Sequence, residues 1–205
     1  MMFVPPRKMK FPLIPALLLL AGSACHAPQS GNDVHTLWDG SDLSGWRMAG
    51  PGEFIVEGDT FYAQGGMGLY WYGEKSFKDF ELELEWQCED ETDNSGIFVR
   101  FPNPGNDPWV AVNQGYEIQI CDVGKPIHRT GAVYSFKESS HVPTKKPGKW
   151  NHYSIQVVGQ QYTIRINGEL VNEFTGERTL EGYIGVQNHD DDSPVRYRNI
   201  RVTEL

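Results

Sequence analysis

Alternation of apolar and polar residues is the main pattern of this sequence from residue 80 onward. In residues 80–88, Leu82, Leu84 and Trp86 alternate with three glutamates, as expected of a β-strand with one face in a core. No segment has the 3.6-residue period of an amphipathic helix. Seven more short runs of this kind follow, separated by Gly, Pro, Asn and Asp: residues 97–101, 116–121, 153–158, 162–166, 170–174, 183–187 and 197–202.

Turn residues between these runs indicate how the strands are joined. Asn167 and Gly168 lie between two of the runs, and both residue types accept the positive φ of a type I′ hairpin turn. Eight or more short strands with such turns predict an all-β fold, a jelly-roll sandwich of two antiparallel sheets. No repeat or linker interrupts residues 34–205, which we interpret as one domain.

Polar side chains from three of these strands are predicted to point away from the core. Neighbouring residues of a strand face opposite sides of the sheet, so burying the aliphatic residues turns the others outward. If the three strands are neighbours, their outward groups converge on one groove. The residues turned outward are Glu117, Gln119 and Cys121 in one strand, Gln187 and His189 in another, and Phe98 with Arg100 in the third.

A carboxylate, an imidazole and two amides in one groove suit acid–base chemistry on a polyol. Burial and neighbouring groups can tune Glu and His toward neutral pH. The alternative is a solvated sheet face, where exposed polar residues are the norm. Aromatic residues could stack on a sugar; Trp86 belongs to the core, and residues 70–72, Tyr-Trp-Tyr, are the candidate for an exposed rim.

The N-terminal residues have the layout of an export signal. Arg7, Lys8 and Lys10 precede an apolar run at residues 11–21, followed by Gly-Ser-Ala and then Cys25. This pattern predicts a signal peptide at residues 1–24, lipidation of Cys25 and a polar tether at residues 25–33. We therefore expect a protein of the bacterial periplasm or cell envelope, held at the membrane only by its lipid. Ordinary cleavage near residues 24–27 would instead yield a secreted protein.

Charge and cysteine content exclude several classes of function. The 205 residues include 18 basic and 27 acidic side chains, for a net charge of −9, and without clustered Lys and Arg we expect no nucleic-acid partner. The three cysteines form no CxxC pair, which argues against a zinc knuckle or a thioredoxin-type motif. Since Cys88 lies on a core face and Cys121 on the opposite face of its strand, we expect two free thiols.

A series of short motifs gives most of the sequence a resemblance to a known family. The motifs are Leu37-Trp38-Asp39-Gly40, Leu43-Ser44-Gly45-Trp46, Asp79-Phe80-Glu81-Leu82, Asn94-Ser95-Gly96-Ile97 with Arg100, Tyr116-Glu117-Ile118-Gln119-Ile120 with Asp122, Thr130-Gly131-Ala132-Val133-Tyr134, Gly148-Lys149-Trp150-Asn151, Gly185-Val186-Gln187-Asn188-His189 and Tyr197-Arg198-Asn199-Ile200. In this order they resemble the 3-keto-disaccharide hydrolase domain, once catalogued as domain of unknown function 1080 and also described as 3-keto-glucoside 1,2-lyase and 3-keto-2-hydroxyglucal hydratase. One departure is Asp190, where the family often has Gly.

The resemblance implies a concanavalin A-like jelly roll and a reaction on 3-keto-glycosides. It implies deprotonation at C2, β-elimination at C1 and hydration, which together amount to hydrolysis of a small 3-keto-glycoside or oligosaccharide. A separate sugar 3-oxidoreductase would have to supply that substrate. Of the residues that match the motifs, either His189 or Glu117 is the expected base. The expected substrate-binding residues are Asn94, Arg100, Gln119, Asp122, Tyr134, Gln187 and Arg198.

Two alternatives remain open from the sequence. A divalent metal ion on Glu117 and His189 could polarise the ketone; no other cofactor is expected. The domain could also be a non-catalytic, lectin-like carbohydrate-binding module, because one fold often hosts both roles.

Overall fold

The computed structural model describes residues 1–3, 32–41 and 43–205. Nearly all of the predicted signal peptide and most of the tether, including Cys25, lie outside these residues. Among the described residues, no helix is both long and apolar enough to span a membrane. Asn32–Leu205 forms one compact unit, and the following description concerns that unit.

The regular secondary structure in the described part of this unit is almost entirely β-strand. It contains thirteen strands, a six-residue α-helix, α1 (Trp109–Gln114), and a single 3-10 turn at Pro126–His128. The strands are β1 (Val34–Trp38), β2 (Trp46–Ala49), β3 (Glu53–Glu57), β4 (Thr60–Gln64), β5 (Gly68–Phe77), β6 (Phe80–Gln87), β7 (Ser95–Phe101), β8 (Tyr116–Ile120), β9 (Asn151–Val158), β10 (Gln161–Ile166), β11 (Glu169–Thr175), β12 (Gly182–Asn188) and β13 (Arg196–Glu204).

The strands form two antiparallel sheets. The eight-stranded sheet has the order β11-β10-β9-β6-β13-β4-β3, with β1 also paired to β13, and the five-stranded sheet has the order β2-β5-β12-β7-β8. Neighbours in each sheet run antiparallel, for example β7 with β8 and β6 with β9. The predicted all-β sandwich is therefore confirmed.

The main core lies between the sheets and is built by the alternation seen in the sequence. Leu82, Leu84 and Trp86 of β6 are at most 1% exposed, and the Trp86 ring stacks on Tyr153 with a centroid distance of 4.1 Å. The eight predicted strands all form. Asn167 and Gly168 have φ angles of 52° and 86°, as the predicted hairpin turn requires. Cys88 and Cys121 are free thiols, which confirms that expectation.

The first five strands carry weaker signals, and β5 shows why. Tyr70 points into the main core, whereas Trp71 points to the outer face of its sheet, where α1 covers it. Both side chains are therefore buried, at 7% and 2% exposure. A strand covered on both faces loses its apolar–polar alternation. The prediction that residues 70–72 form an exposed aromatic rim is wrong for this reason.

Helix α1 covers part of the outer face of the five-stranded sheet. It connects β7 to β8, and its Ala111 packs with Leu69, Trp71 and Phe101 in a second, smaller core. The segment before the helix reaches as far as the end of β2, where the Gly50 amide donates to Asn106 Oδ1 at 3.2 Å. The part of the outer face left uncovered forms a pocket.

Candidate active site

A pocket of about 200 Å³ opens on the outer face of the five-stranded sheet. It crosses β12, β7 and β8, the three neighbouring strands that the sequence predicted to send polar groups outward. Phe98 and Val112 contribute apolar surface from the sheet and the helix. The predicted residues that line it are Asn94, Glu117, Gln119, Tyr134, Gln187 and His189.

A chain of hydrogen bonds connects three elements of this pocket. Asp190 Oδ2 lies 2.6 Å from His189 Nδ1, and His189 Nε2 lies 3.0 Å from the Asn94 amide nitrogen. Asn94 Oδ1 in turn accepts a bond of 2.7 Å from Gln119 Nε2. Burial alone would raise the pKa of Asp190, but hydrogen bonds, the one to His189 foremost, lower it below its usual value. Both nitrogens of the His189 ring are thus engaged.

Glu117 is the most isolated ionisable group of the pocket. It is 7% exposed, and its Oε1 has no hydrogen-bond partner among the residues that the structure describes. Burial disfavours the ionised form of a carboxyl group and raises the pKa of Glu117 to about 8. The carboxyl group is therefore mainly protonated at pH 7, and its pKa is close to the value that suits a proton-transfer group.

Two amide oxygens share the environment of Glu117. Oε1 of Gln119 and Oε1 of Gln187 are both buried without a partner, and both residues line the pocket. An unsatisfied buried polar atom typically costs about 1–3 kcal/mol. Three acceptors left open in one pocket indicate a ligand that supplies several hydrogen-bond donors, as a polyol does.

Tyr134 is held at the side of the pocket by its backbone and by its ring. Its amide donates to the carbonyl of Glu117 at 2.9 Å, and its ring stacks on His128 with a centroid distance of 4.3 Å. This contact orients the phenol group, which makes His128 a support for the pocket that the sequence did not indicate.

The prediction that Arg100 lies in the groove is wrong. Its φ of 54° and the shift of register opposite Tyr183 mark a β-bulge, which breaks the alternation and turns the side chain away from the Phe98 face. The guanidinium group is fully buried. It bonds to the carbonyls of Lys78 and Gly159 and, at 3.1 Å, to Asp79 Oδ1.

Asp122 and Arg198 also lie outside the pocket. Asp122 accepts bonds from the Thr130 and Thr144 hydroxyls at 2.5 and 2.6 Å. Arg198 belongs to β13 of the other sheet, where its Nε donates to Glu85 Oε2 at 3.0 Å and its guanidinium covers the Trp150 ring. Both residues therefore stabilise the fold, and the prediction that they line the groove is wrong.

The pocket supplies only part of the ligand set that a divalent metal ion would need. Glu117 and His189 both line it, but within the described ranges no group of three or more His, Cys, Asp or Glu side chains is placed to hold a metal ion. The open oxygens of Gln119 and Gln187 would have to complete the ligand set. The metal stays a prediction.

Several residues of the site were not predicted from the sequence. Met67 and Trp109 line the mouth of the pocket, although neither belongs to an alternating run. Asp190 forms a hydrogen bond with His189. In the sequence, Asp190 was noted only because it departs from the family pattern. Phe98 was placed on the correct face by alternation, but without a role.

Several known proteins are similar to this chain in sequence or in fold. A 3-keto-disaccharide hydrolase of Bacteroides thetaiotaomicron is 29% identical over 87% of this chain and 80% of its own length. A candidate glycosyl hydrolase of Parabacteroides distasonis superposes with a TM-score of 0.72 at 19% identity, covering 84% of this chain and 94% of the other. The carbohydrate-binding module CBM66 of Bacillus subtilis has the same fold, with a TM-score of 0.56 at 15% identity over 77% of this chain and 94% of the module. The sequence model of the 3-keto-alpha-glucoside-1,2-lyase-like domain matches residues 33–203, and the chain belongs to that family.

Proposed function

We propose that this protein cleaves 3-keto-glycosides, including 3-keto-disaccharides, by elimination followed by hydration. Membership of the family and the similarity to a 3-keto-disaccharide hydrolase support a role in carbohydrate hydrolysis. The observation that carries the mechanism is the buried, unpartnered Oε1 of Glu117 beside two open amide oxygens. A classical glycosidase needs two carboxyl groups flanking the bond, whereas Glu117 is the one carboxylic acid among the residues that line this pocket.

The first step of the proposed reaction is removal of the C2 proton. A ketone at C3 acidifies this proton, because the electron pair left at C2 delocalises onto the ketone oxygen as an enolate. Ionised Glu117 takes the proton. Donors at the enolate oxygen lower the barrier, and the Tyr134 hydroxyl and the amide groups of Asn94 and Gln187 line the pocket where such an oxygen would lie.

The second step breaks the glycosidic bond, and the third adds water. The enolate electron pair returns to form the C1–C2 double bond, and the C1 oxygen leaves with a proton, giving a 2-hydroxy-3-keto glucal. Protonated Glu117 is a source of that proton. Water then adds its hydroxyl to C1 and a proton to C2, which yields the free 3-keto sugar.

Glu117 is a better candidate for the base than His189. Both ring nitrogens of His189 are hydrogen bonded, to Asp190 and Asn94, whereas Oε1 of Glu117 has no partner. His189 is instead placed to orient Asn94, which in turn holds Gln119 Nε2 and leaves Gln119 Oε1 open for a substrate hydroxyl.

The proposal is tested by following cleavage of a 3-keto-glucoside and of its unoxidised parent, with and without EDTA. We expect turnover of the keto sugar alone, with transient absorbance of the enone. Glu117→Gln should lower kcat by at least about a hundredfold, a typical loss for a proton-transfer group, and His189→Ala should lower it less. Glu173→Gln, an exposed carboxylate on β11 of the other sheet, is the control.

Each contrary result has a defined meaning. Turnover of the parent glycoside would reject elimination through a ketone. Sugar binding without turnover of either compound would favour the lectin-like module. Loss of activity in EDTA, with recovery on adding a divalent cation, would establish a metal requirement, and loss of metal binding in Glu117→Ala and His189→Ala would assign the metal to these two residues.

We also propose that the protein is exported and anchored through a lipid on Cys25, which would place it where a sugar 3-oxidoreductase of the envelope delivers its substrate. The basis is the signal-peptide layout of the first 25 residues. Labelling of growing cells with a radioactive fatty acid should mark the wild-type protein and not the Cys25→Ala variant. A wild-type protein that is unlabelled and free in the medium would reject the anchor.

A further inference from the structure

We infer that Trp109 and Met67 form a subsite for the leaving group of the substrate, a second sugar ring that lies with its apolar face on the Trp109 indole. The inference rests on the proposed function, because it assigns the part of the substrate that departs. The residues concerned lie at the mouth of the pocket and take no part in the proton transfers.

Of the large apolar side chains that are exposed in the described residues, Trp109 and Met67 are the two that line the pocket. Trp109 is 51% exposed and Met67 43% exposed, whereas Trp38, Trp46 and Trp71 are each at most 8% exposed. Leaving large apolar surface in water is unfavourable, and contiguous exposed apolar surface beside a pocket often marks a binding site. Both side chains line the pocket, so their exposed surface lies where a ligand would cover it.

Trp109 has a fixed position despite its exposure. It begins α1, and its backbone amide donates to Asp107 Oδ1 at 3.0 Å. Two residues further along the helix, Ala111 is fully buried in the smaller core. The indole is thus presented by an anchored helix, which lowers the entropy lost when a ligand binds.

The segments that carry Met67 and Trp109 meet at one point. A Cβ atom placed on Gly50 would lie 2.8 Å from Pro108 Cγ and 3.2 Å from the Met67 carbonyl oxygen. Pro108 directly precedes Trp109, and it also lines the pocket. The two segments therefore lie side by side at Gly50, and Met67, Pro108 and Trp109 all line the same pocket.

The size of the pocket indicates what the residues at its mouth bind. Its volume of about 200 Å³ is below the ~300–1,000 Å³ of pockets that enclose a drug-sized ligand. One keto sugar ring, with its hydroxyls on the open oxygens of Glu117, Gln119 and Gln187, would occupy most of it. The group attached at C1 would then extend to the mouth, where an aromatic face offers stacking and Met67 an adaptable contact.

The test compares two substrates in the wild-type protein and three variants. For the wild-type protein and for Trp109→Ala, kcat/KM is measured with a 3-keto-disaccharide and with the methyl 3-keto-glucoside, whose leaving group is too small to reach the mouth. Trp109→Ala should reduce kcat/KM about tenfold more for the disaccharide than for the methyl glycoside, through KM, and Trp109→Phe should restore most of the difference. Trp150→Ala, which removes an indole outside the pocket, is the control and should leave the ratio of the two substrates unchanged.

A readout without turnover separates this inference from the proposed function. In the Glu117→Gln background, which slows cleavage, the disaccharide should quench tryptophan fluorescence; adding Trp150→Ala should leave the quenching, and adding Trp109→Ala should make it much smaller. Equal losses of kcat/KM for both substrates, or an unchanged ratio in Trp109→Ala, would overturn the subsite. If wild-type protein cleaves neither substrate, the proposed function fails, and quenching that depends on Trp109 would then show sugar binding at Trp109 without a leaving group.

Discussion

Gly96 of β7 leaves the space that the carboxyl group of Glu117 on β8 occupies. A Cβ atom at Gly96 would lie 2.2 Å from Glu117 Oε1 and 2.7 Å from its Cγ, which is closer than non-bonded atoms can approach. The two residues lie on paired strands, with Gly96 opposite Gln119 and Phe98 opposite Glu117. The absence of a side chain at Gly96 therefore determines where the proposed base can lie.

We predict that Gly96→Ala displaces the Glu117 carboxyl group and lowers kcat by at least about tenfold. A misplacement of about 1 Å at a reacting group can cost about a hundredfold in rate. Activity on a 3-keto-glucoside and thermal unfolding are the measurements. Gly73→Ala is the matched control, since the three atoms nearest to a Cβ atom there all belong to the side chain of Arg47, which is half exposed and able to move.

A double variant separates displacement of Glu117 from general damage to the sheet. If the added methyl group acts by pushing against Glu117, Gly96→Ala should destabilise the Glu117→Ala protein less than it destabilises the wild type. The same loss of stability in both backgrounds would show that Gly96 is required for another reason.

The rate of the proposed reaction should depend on ionisation of Glu117. Burial raises the pKa of this carboxyl group to about 8, and proton abstraction requires its ionised form. We expect kcat/KM to rise about tenfold per pH unit below pH 8 and to level off above it. A profile that is flat between pH 5 and pH 7 would exclude Glu117 as the base.

The same shift should make the fold less stable as pH rises. The folded-state pKa of about 8 lies above the ordinary value of 4.5, so the native state retains a proton that the unfolded chain releases. The stabilisation is complete below pH 4.5 and is lost as pH rises to about 8. Between pH 4.5 and pH 7 the loss should be on the order of 3 kcal/mol.

The variant Glu117→Gln isolates this contribution because its side chain does not titrate. The difference in unfolding free energy between wild type and Glu117→Gln, measured in urea from pH 4.5 to pH 7, should shift in favour of the variant by that amount. Glu173→Gln, at an exposed site, should show no such trend. A constant difference between wild type and Glu117→Gln would show that Glu117 has an ordinary pKa.

Alternation in the sequence was sufficient to predict the faces of regular strands. It placed Leu82 and Trp86 in the core, and it placed Glu117, Gln119 and Gln187 together on the outer face, because β8, β7 and β12 are neighbours without irregularity at those positions. Assignment of strands to sheets depends on long-range pairing, which local patterns do not contain. Arg198, which the family resemblance implied for the groove, lies on β13 of the other sheet, and no local pattern could have shown this.

The features that the sequence did not predict depend on local backbone geometry or on one short helix. The bulge at Arg100 reverses the direction of one side chain, and the sequence around it reads as an ordinary strand. Helix α1 has six residues, fewer than two turns, so no helical period can be detected. Trp109 was therefore not predicted to line the pocket. The double burial of β5 follows from the position of that helix.

The corrected positions of Arg100 and Arg198 predict a loss of stability without a loss of catalysis. Arg100→Met leaves the carbonyls of Lys78 and Gly159 and the carboxylate of Asp79 without their buried partner. We expect the unfolding free energy to fall by at least about 3 kcal/mol, while kcat/KM per folded molecule stays at the wild-type value.

Arg198→Ala should likewise keep its activity, since its ion pair with Glu85 lies on the other sheet. The comparison variant is Arg165→Met, whose side chain is exposed on β10 and should change stability little. A folded Arg100→Met protein with a tenfold lower kcat/KM would contradict this prediction. It would show that Arg100 supports the site through β7, the strand that also places Phe98 in the pocket.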